Sequence, residues 1–337
     1  MNRSKPVLRF GLRSVAFLAG VAFLAEFAGA QTFATKLTPD QLAARRARVS
    51  RMSDHGGGPV LADPPNGMNI VTGLSATALA NALLGSGVTL SGTPTLQGNA
   101  LQAGTFTNAP ALVGFSSGII LSSGNVTDAG STWAGANSPN TSEGTAGYAP
   151  LSDLIGGQST NDAAVLQFSF IPTTSTIYFT YVFASAEYPN YVGSYNDPMG
   201  LFVNGTASAN NVAVLPLTPP VPVTINNVNA TTHPGYFNKY NTTGDSLSYG
   251  GETKVLTATA TVNPGQVNTI TLAVADAMDS ALDSAVFIQA GSLSTTAPAG
   301  AATAAGAPAL SPGILAGLGL MLLFFGVLML RSRQTAE

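Results

Sequence analysis

Six side chains in two short segments have the composition of an oxygen-donor metal site. Glu187, Asn196 and Asp197 follow one aromatic stretch, and Asp276, Asp279 and Asp283 fall together near the end of the chain's central region. Clustered carboxylates repel one another unless hydrogen bonds or a cation bridge them, and hard oxygen donors suit Ca²⁺. No D-x-D-x-D-G run is present, so the spacing is not that of an EF-hand. A second reading needs no metal: acids in turns accept hydrogen bonds from loop amides. Both readings stand at this level, and Ca²⁺ is the one cofactor that the pattern suggests. Tyr188, Tyr191 and Tyr195 recur through the first acidic segment, and Trp133 lies in an earlier loop. Such aromatics either stack on sugar rings or staple a long loop to the core.

Catalytic readings are weaker. Glu187 and Asp276 can be cast as the two carboxylates of a glycan hydrolase, although nothing in their spacing requires it. Gly114-Phe-Ser-Ser-Gly118 fits the G-x-S-x-G string of a hydrolase elbow, which demands a helix directly after the serine. Ile119 and Ile120 follow instead, β-branched residues that suit a strand leaving a turn. The two histidines, His55 and His233, have no second ligand at helical or hairpin spacing.

The elements that must hold these residues are strands. Phe179, Tyr181 and Phe183 alternate with Thr180, Val182 and Ala184, and Leu166, Phe168 and Phe170 alternate with Gln167 and Ser169, the period of a strand with one face in a core. Further strand-like runs cover 118–122, 201–203, 212–215, 223–228, 254–262, 269–274 and 285–290. Ser75 followed by an Ala/Leu-rich run to Gly85 reads as one short helix with a glycine stop. No alternating strand–helix rhythm and no internal repeat appears, which favours an all-β, antiparallel two-sheet sandwich of jelly-roll type.

Composition agrees. Only 9% of the 337 residues are charged, with 37 Gly, 21 Pro and no Cys. Disulfides and thiolate chemistry are thereby excluded. A net charge of −3 offers no basic field to gather nucleic acid.

The ends carry targeting signals. Residues 1–30 run from a basic segment through an apolar stretch, Val15 to Ala25, to Ala28-Gly29-Ala30, the order of a cleavable signal peptide. Residues 31–66 read as a spacer with a short basic helix, opened by Thr38-Pro39-Asp40-Gln41. The sandwich is expected over 67–294, and an Ala/Pro/Gly/Thr linker with a sorting motif over 295–312. A transmembrane helix is expected over 313–331, with a basic cytoplasmic tail over 332–337. Pro308-Ala-Leu-Ser311, the span and the arginines resemble the bacterial PEP-CTERM sorting signals, in particular the IPTL variant. That resemblance implies an exosortase-type processing enzyme as a partner, though the Pro-Glu-Pro triplet is missing.

A second resemblance covers nearly all of the expected sandwich. Leu79-Ala-Asn-Ala-Leu-Leu-Gly-Ser-Gly-Val88, Gly114-Phe-Ser-Ser-Gly-Ile-Ile-Leu-Ser-Ser-Gly124, Asp162-Ala-Ala-Val-Leu-Gln-Phe168, Tyr181-Val-Phe-Ala-Ser-Ala-Glu-Tyr188, Asn196-Asp197, Ala275-Asp276 and Asp283-Ser-Ala-Val-Phe287 occur in order. Together they resemble the choice-of-anchor L family, exported bacterial domains attached by various C-terminal anchors. Ala186 stands where the family pattern has a second acid. The resemblance implies an exported domain at the cell surface or envelope, tethered to the membrane through its C-terminal helix, and supplies no reaction. A non-catalytic binding module is the function to expect, with a glycan hydrolase or a purely structural exoprotein as the alternatives. Extracellular polysaccharide or protein are the ligands to expect.

Overall fold

The computed structural model describes residues 68–135 and 138–298. The expected signal peptide, the spacer, the sorting motif, the membrane span and the basic tail lie outside the described residues. Among those described, no helix is long and apolar enough to cross a membrane.

Fourteen strands and three short helices appear in the order β1 (Asn69–Thr72), α1 (Ala76–Leu83), β2 (Val88–Gln97), β3 (Ala103–Thr107), α2 (Pro110–Val113), β4 (Ser117–Ser122), α3 (Ala149–Leu154), β5 (Thr160–Pro172), β6 (Thr176–Ser185) and β7 (Met199–Val203), then β8 (Val214–Leu215), β9 (Val221–Pro222), β10 (Phe237–Tyr240), β11 (Gly251–Thr253), β12 (Leu256–Thr261), β13 (Asn268–Ala277) and β14 (Ser284–Gln289). One sheet has eight strands in the order β1-β3-β4-β14-β6-β11-β10, with β12 also paired to β6. The other has four, β2-β5-β13-β7, and β8-β9 form a separate ribbon. All pairings between named strands are antiparallel. The fold is therefore antiparallel and sandwich-like, with few helices. Eight strands face four, so the likeness does not extend to the equal sheets of a jelly roll.

Leu166, Phe168 and Phe170 of β5 and Ile270, Leu272 and Val274 of β13 meet Ile177, Phe179, Tyr181 and Phe183 of β6 in one buried cluster. The alternation read in β5 holds: Gln167 stays exposed between buried neighbours. In β6 the expectation of one wet face fails beyond Phe179. Val182 and Ala184, on the opposite side, lie in a second cluster with Phe106, Phe115, Tyr249 and Phe287. α2 and the strand connections cover that face, so the strand's aromatic density serves two cores.

One strand expectation needs correction. Val223 to Val228 is not a strand: the amides of Asn227 and Val228 both donate to the Thr224 carbonyl, closing a single turn. The Asn226-Asn227 pair favours that turn, while Val223, Ile225 and Val228 still bury their side chains. β2, a strand that the sequence reading did not include, contains Gly92 and Pro94, residues that argue against a strand. It accommodates them by a register shift between Ser91 and Thr95.

α1 begins as expected, with the Ser75 hydroxyl accepting from the Ala78 amide at 3.2 Å. It ends without a left-handed glycine, since Leu84 is already extended. Gly85 is required for another reason: a Cβ there would fall 1.9 Å from the Gly291 carbonyl oxygen. This close approach belongs to a clamp. Gly85 donates to the Leu293 carbonyl at 2.8 Å, Leu293 to Leu83 at 3.0 Å and Thr295 to Ser86 at 2.9 Å. Tyr178 and Ser294 exchange bonds of 2.9 and 3.3 Å on the other side.

Phe179 is fully buried at the centre of the shared core. Phe179→Ala should lower the unfolding free energy by about 3–5 kcal/mol in denaturant titrations. Val255→Ser, at a position 46% exposed, should change it by less than about 0.5 kcal/mol.

Candidate functional site

Both acidic segments reach the same end of the sandwich. Antiparallel pairing brings the end of β13 next to the start of β5 and the start of β7. It likewise brings the start of β14 next to the ends of β4 and β6. Asp276 therefore lies in the last turn of β13, Asp197 just before β7 and Asp283 just before β14. A register shift in the β5–β13 pair, between Val274 and Asp276, leaves one extra residue on β5 at Asp162. Asp162 takes up the excess in a left-handed conformation (φ 49°), which Asp tolerates better than most residues.

The acids differ in what satisfies them. Asp197 is fully used: Oδ1 accepts from the Ala277 amide at 2.8 Å and Oδ2 from the Ser284 hydroxyl at 2.7 Å. Asp162 takes the Thr145 amide on Oδ1 at 2.6 Å and the Glu143 amide on Oδ2 at 3.1 Å. Asp279 Oδ1 accepts from the Ala281 amide at 3.2 Å as a turn cap, and Asn196 Oδ1 accepts from the Asn226 amide at 3.0 Å, tying two loops together. Asp128 Oδ2 accepts from the Thr141 hydroxyl at 3.1 Å. Asp283 Oδ1 accepts from the Thr141 amide at 2.8 Å, but its buried Oδ2 meets no donor. Asp276 is the extreme case, for neither of its buried oxygens has a hydrogen-bond partner. The Ser123 hydroxyl is near enough to favour its charge without reaching hydrogen-bonding geometry.

The electrostatics follow. Burial drives the Asp276 carboxyl well above the usual carboxylate range, and the negative charges of Asp197 and Asp283 push it further. Asp283 is likewise raised, by burial and by Asp128, Asp197 and Asp162, against the lowering effect of the Thr141 amide. Tyr249, whose hydroxyl lies 3.5 Å from Ser122 Oγ, is also raised, first by its burial and then by Asp283, Asp128 and Asp276. Glu187 is fully buried after β6, its amide donating to the Ser185 hydroxyl at 3.0 Å. Its loop joins the other one through the Ala186 amide, which donates to the Asp283 carbonyl at 3.0 Å, and through packing of Ala186 and Tyr191 on Leu282.

This arrangement occupies one end of a domain whose sequence is matched, over residues 69–294, by the model of the Choice-of-anchor L domain. The chain belongs to the choice-of-anchor L family. No curated protein and no solved structure matches it. Family membership is consistent with an exported, surface-associated protein.

Within this choice-of-anchor domain the candidate aromatics mostly face inward. Tyr188 is fully buried, donates its hydroxyl to the Val228 carbonyl and packs its ring 5.2 Å from that of Phe237. Tyr195 is buried against Tyr191, whose half-buried ring lies 6.0 Å away, edge to face. Trp133 is half-buried, with its amide bonded to the Asp245 carbonyl at 2.7 Å. These side chains fasten loops, and neither Tyr188 nor Tyr195 offers a ring face to solvent. Ser116 is exposed on the turn between α2 and β4, with a strand and no helix after it, so the elbow geometry is absent. A groove of about 760 Å³ lies at the opposite reach of β6, lined by Tyr178, Tyr236, Lys254, Val214 and Leu256, and no carboxylate enters it.

Ser123, Asp128, Thr141, Asp162 and Tyr249 share the acidic end without having been candidates. Ser123 and Asp162 fall inside stretches quoted for the family resemblance, a signal that pointed to them. Thr141, Asp128 and Tyr249 come from loops with no pattern of their own.

Asp197→Ala would strand two buried donors, the Ala277 amide and the Ser284 hydroxyl. Equilibrium unfolding should show a loss of about 2–5 kcal/mol.

Proposed function

We propose that this protein is an exported module, anchored in the cell membrane through residues 313–331, whose sandwich binds extracellular polysaccharide or a protein partner without chemically altering it. The observation that carries the non-catalytic part is the burial of the two acids best suited to hydrolysis. Glu187 and Asp276 are both 0% exposed. A glycosidase needs two carboxyl groups flanking a bond in an open cleft, and no substrate reaches a sealed pair. The acid-free groove beside β12 likewise suits adsorption better than hydrolysis. Membrane anchoring is supported by the apolar run Ile314 to Leu330 followed by Arg331 and Arg333. Exosortase-type processing at the Pro308–Ser311 motif would release or transfer the domain.

Fractionation tests the anchoring: the full-length chain should sediment with membranes and be cut by protease added outside, while a chain ending at residue 312 should appear in the medium. The released chain should bind immobilised extracellular polymer or a surface protein and leave polymer length unchanged. Depolymerisation that disappears in Glu187→Gln would instead establish the hydrolase reading. Neither binding nor turnover would leave a purely structural exoprotein.

A further inference from the structure

Between residues 68 and 298 the sequence carries eleven Asp and Glu but only two Lys and no Arg. Seven of those acids are buried: Asp162, Glu187, Asp197, Glu252, Asp276, Asp279 and Asp283. Only Glu252 has a basic neighbour, Lys239 opposite it on β10. Lys239 pairs with the partly exposed Asp245 at 3.1 Å, and Lys254 lines the distant groove. A buried carboxylate without a donor or a counter-charge is among the least tolerable groups in a protein interior. At the acidic end three such oxygens occur on two neighbouring residues: Oδ1 and Oδ2 of Asp276 and Oδ2 of Asp283. Asp197 and Asp162, which flank them, already accept hydrogen bonds on both of their oxygens.

The geometry points to a calcium site at this end of the sandwich, with Asp276 and Asp283 as its carboxylate ligands. Every donor around it is oxygen: the two carboxylates, the Ser123 hydroxyl beside Asp276 and the hydroxyl of Tyr249, with neither Cys nor His at hand. Oxygen-only surroundings select a hard cation. Ligands drawn from a strand end and separate loops fit the variable six- to eight-fold shell of Ca²⁺ better than the strict octahedron of Mg²⁺. Among the described residues no three His, Cys, Asp or Glu side chains stand together as a ready-made metal centre. The site therefore completes its shell with neutral oxygens, from hydroxyls, carbonyls and water. Room for Asp283 is itself built in. A Cβ on Gly124 would fall 1.9 Å from Asp283 Oδ2, so glycine is what lets the carboxylate lie there. Of the six side chains that the sequence offered as ligands, Asn196, Asp197 and Asp279 are thereby reassigned to structural hydrogen bonds. The site is independent of whatever the sandwich binds at its surface, and either proposal can fail without the other.

The test uses the full-length chain purified in detergent and stripped with EDTA. Adding millimolar Ca²⁺ should raise Tm by about 10 °C, the scale expected when a ligand far above its Kd binds only the folded state. Terbium should give emission sensitised by tyrosine excitation, displaced by Ca²⁺ and weakened in Tyr249→Phe. Asp276→Asn should lose the Ca²⁺ response and yet melt no lower than stripped wild type, because it also removes a repulsive charge. Gly124→Ala should blunt the response by pushing Asp283 aside. If EDTA cannot reach the ion, elemental analysis should find about one calcium per chain, which also supports the site. A wild type that holds no calcium, melts alike with and without Ca²⁺ and sensitises no terbium overturns it, and leaves Asp276 as a buried neutral acid.

Discussion

The pairing of β5 with β13 is the constraint on which the rest depends. It runs from Asn268 opposite Phe170 to Ala277 opposite Thr160 and forms the middle of the four-stranded sheet. Its central part is regular and delivers Leu166, Phe168, Leu272 and Ile270 to the shared core. Its end is irregular, and the irregularity turns Asp162 away from the ladder towards loop amides while keeping Asp276 inside. The same hydrogen-bonded pair thus supplies both the apolar centre of the domain and the polar arrangement at its tip.

That division has an energetic logic. Strands β4, β6 and β14 are buried on both faces, so they admit few polar side chains along their length. Polar demand is displaced to the strand ends, where backbone amides left over from the sheets need acceptors. Asp197, Asp162 and Asp279 meet that demand one by one. In a domain with two lysines, amides and hydroxyls do the work that arginine and lysine do elsewhere, and they can stabilise only so many carboxylates. Asp276 and half of Asp283 exceed that capacity.

Much of this was legible in the sequence wherever a side-chain period reported a single environment. Leu166, Phe168 and Phe170 pointed inward as their alternation required, and the Ser75 cap placed α1 correctly. The pattern misled where one residue answered to two demands. Val223, Ile225 and Val228 have the spacing of a strand because they feed the core, but Asn226 and Asn227 bend the chain between them. β2 holds Gly92 and Pro94 at a register shift, so its composition imitates a loop. At the acidic end, the residue types announced oxygen chemistry, and the convergence of two remote segments followed from antiparallel topology. Which acids cap turns and which lack donors depended on amides from residues 141–145, 226 and 277–281, and no local spacing encodes those distances. Tyr188 and Tyr195 illustrate the opposite error: aromatics in a polar loop suggest a ligand surface, whereas here they hold the loop down.

The clamp between the end of the domain and the α1–β2 connection also has a mechanical meaning. The chain leaves the sandwich through Leu293, Ser294 and Thr295, which are hydrogen-bonded to Leu83, Gly85, Ser86 and Tyr178. A pull transmitted along the chain from beyond residue 298 meets that set of bonds before it reaches β14, and part of it passes through Tyr178 into β6. They are loaded as a group, so a pull from the C-terminal side does not pass directly to β13, β14 or the carboxylates between them.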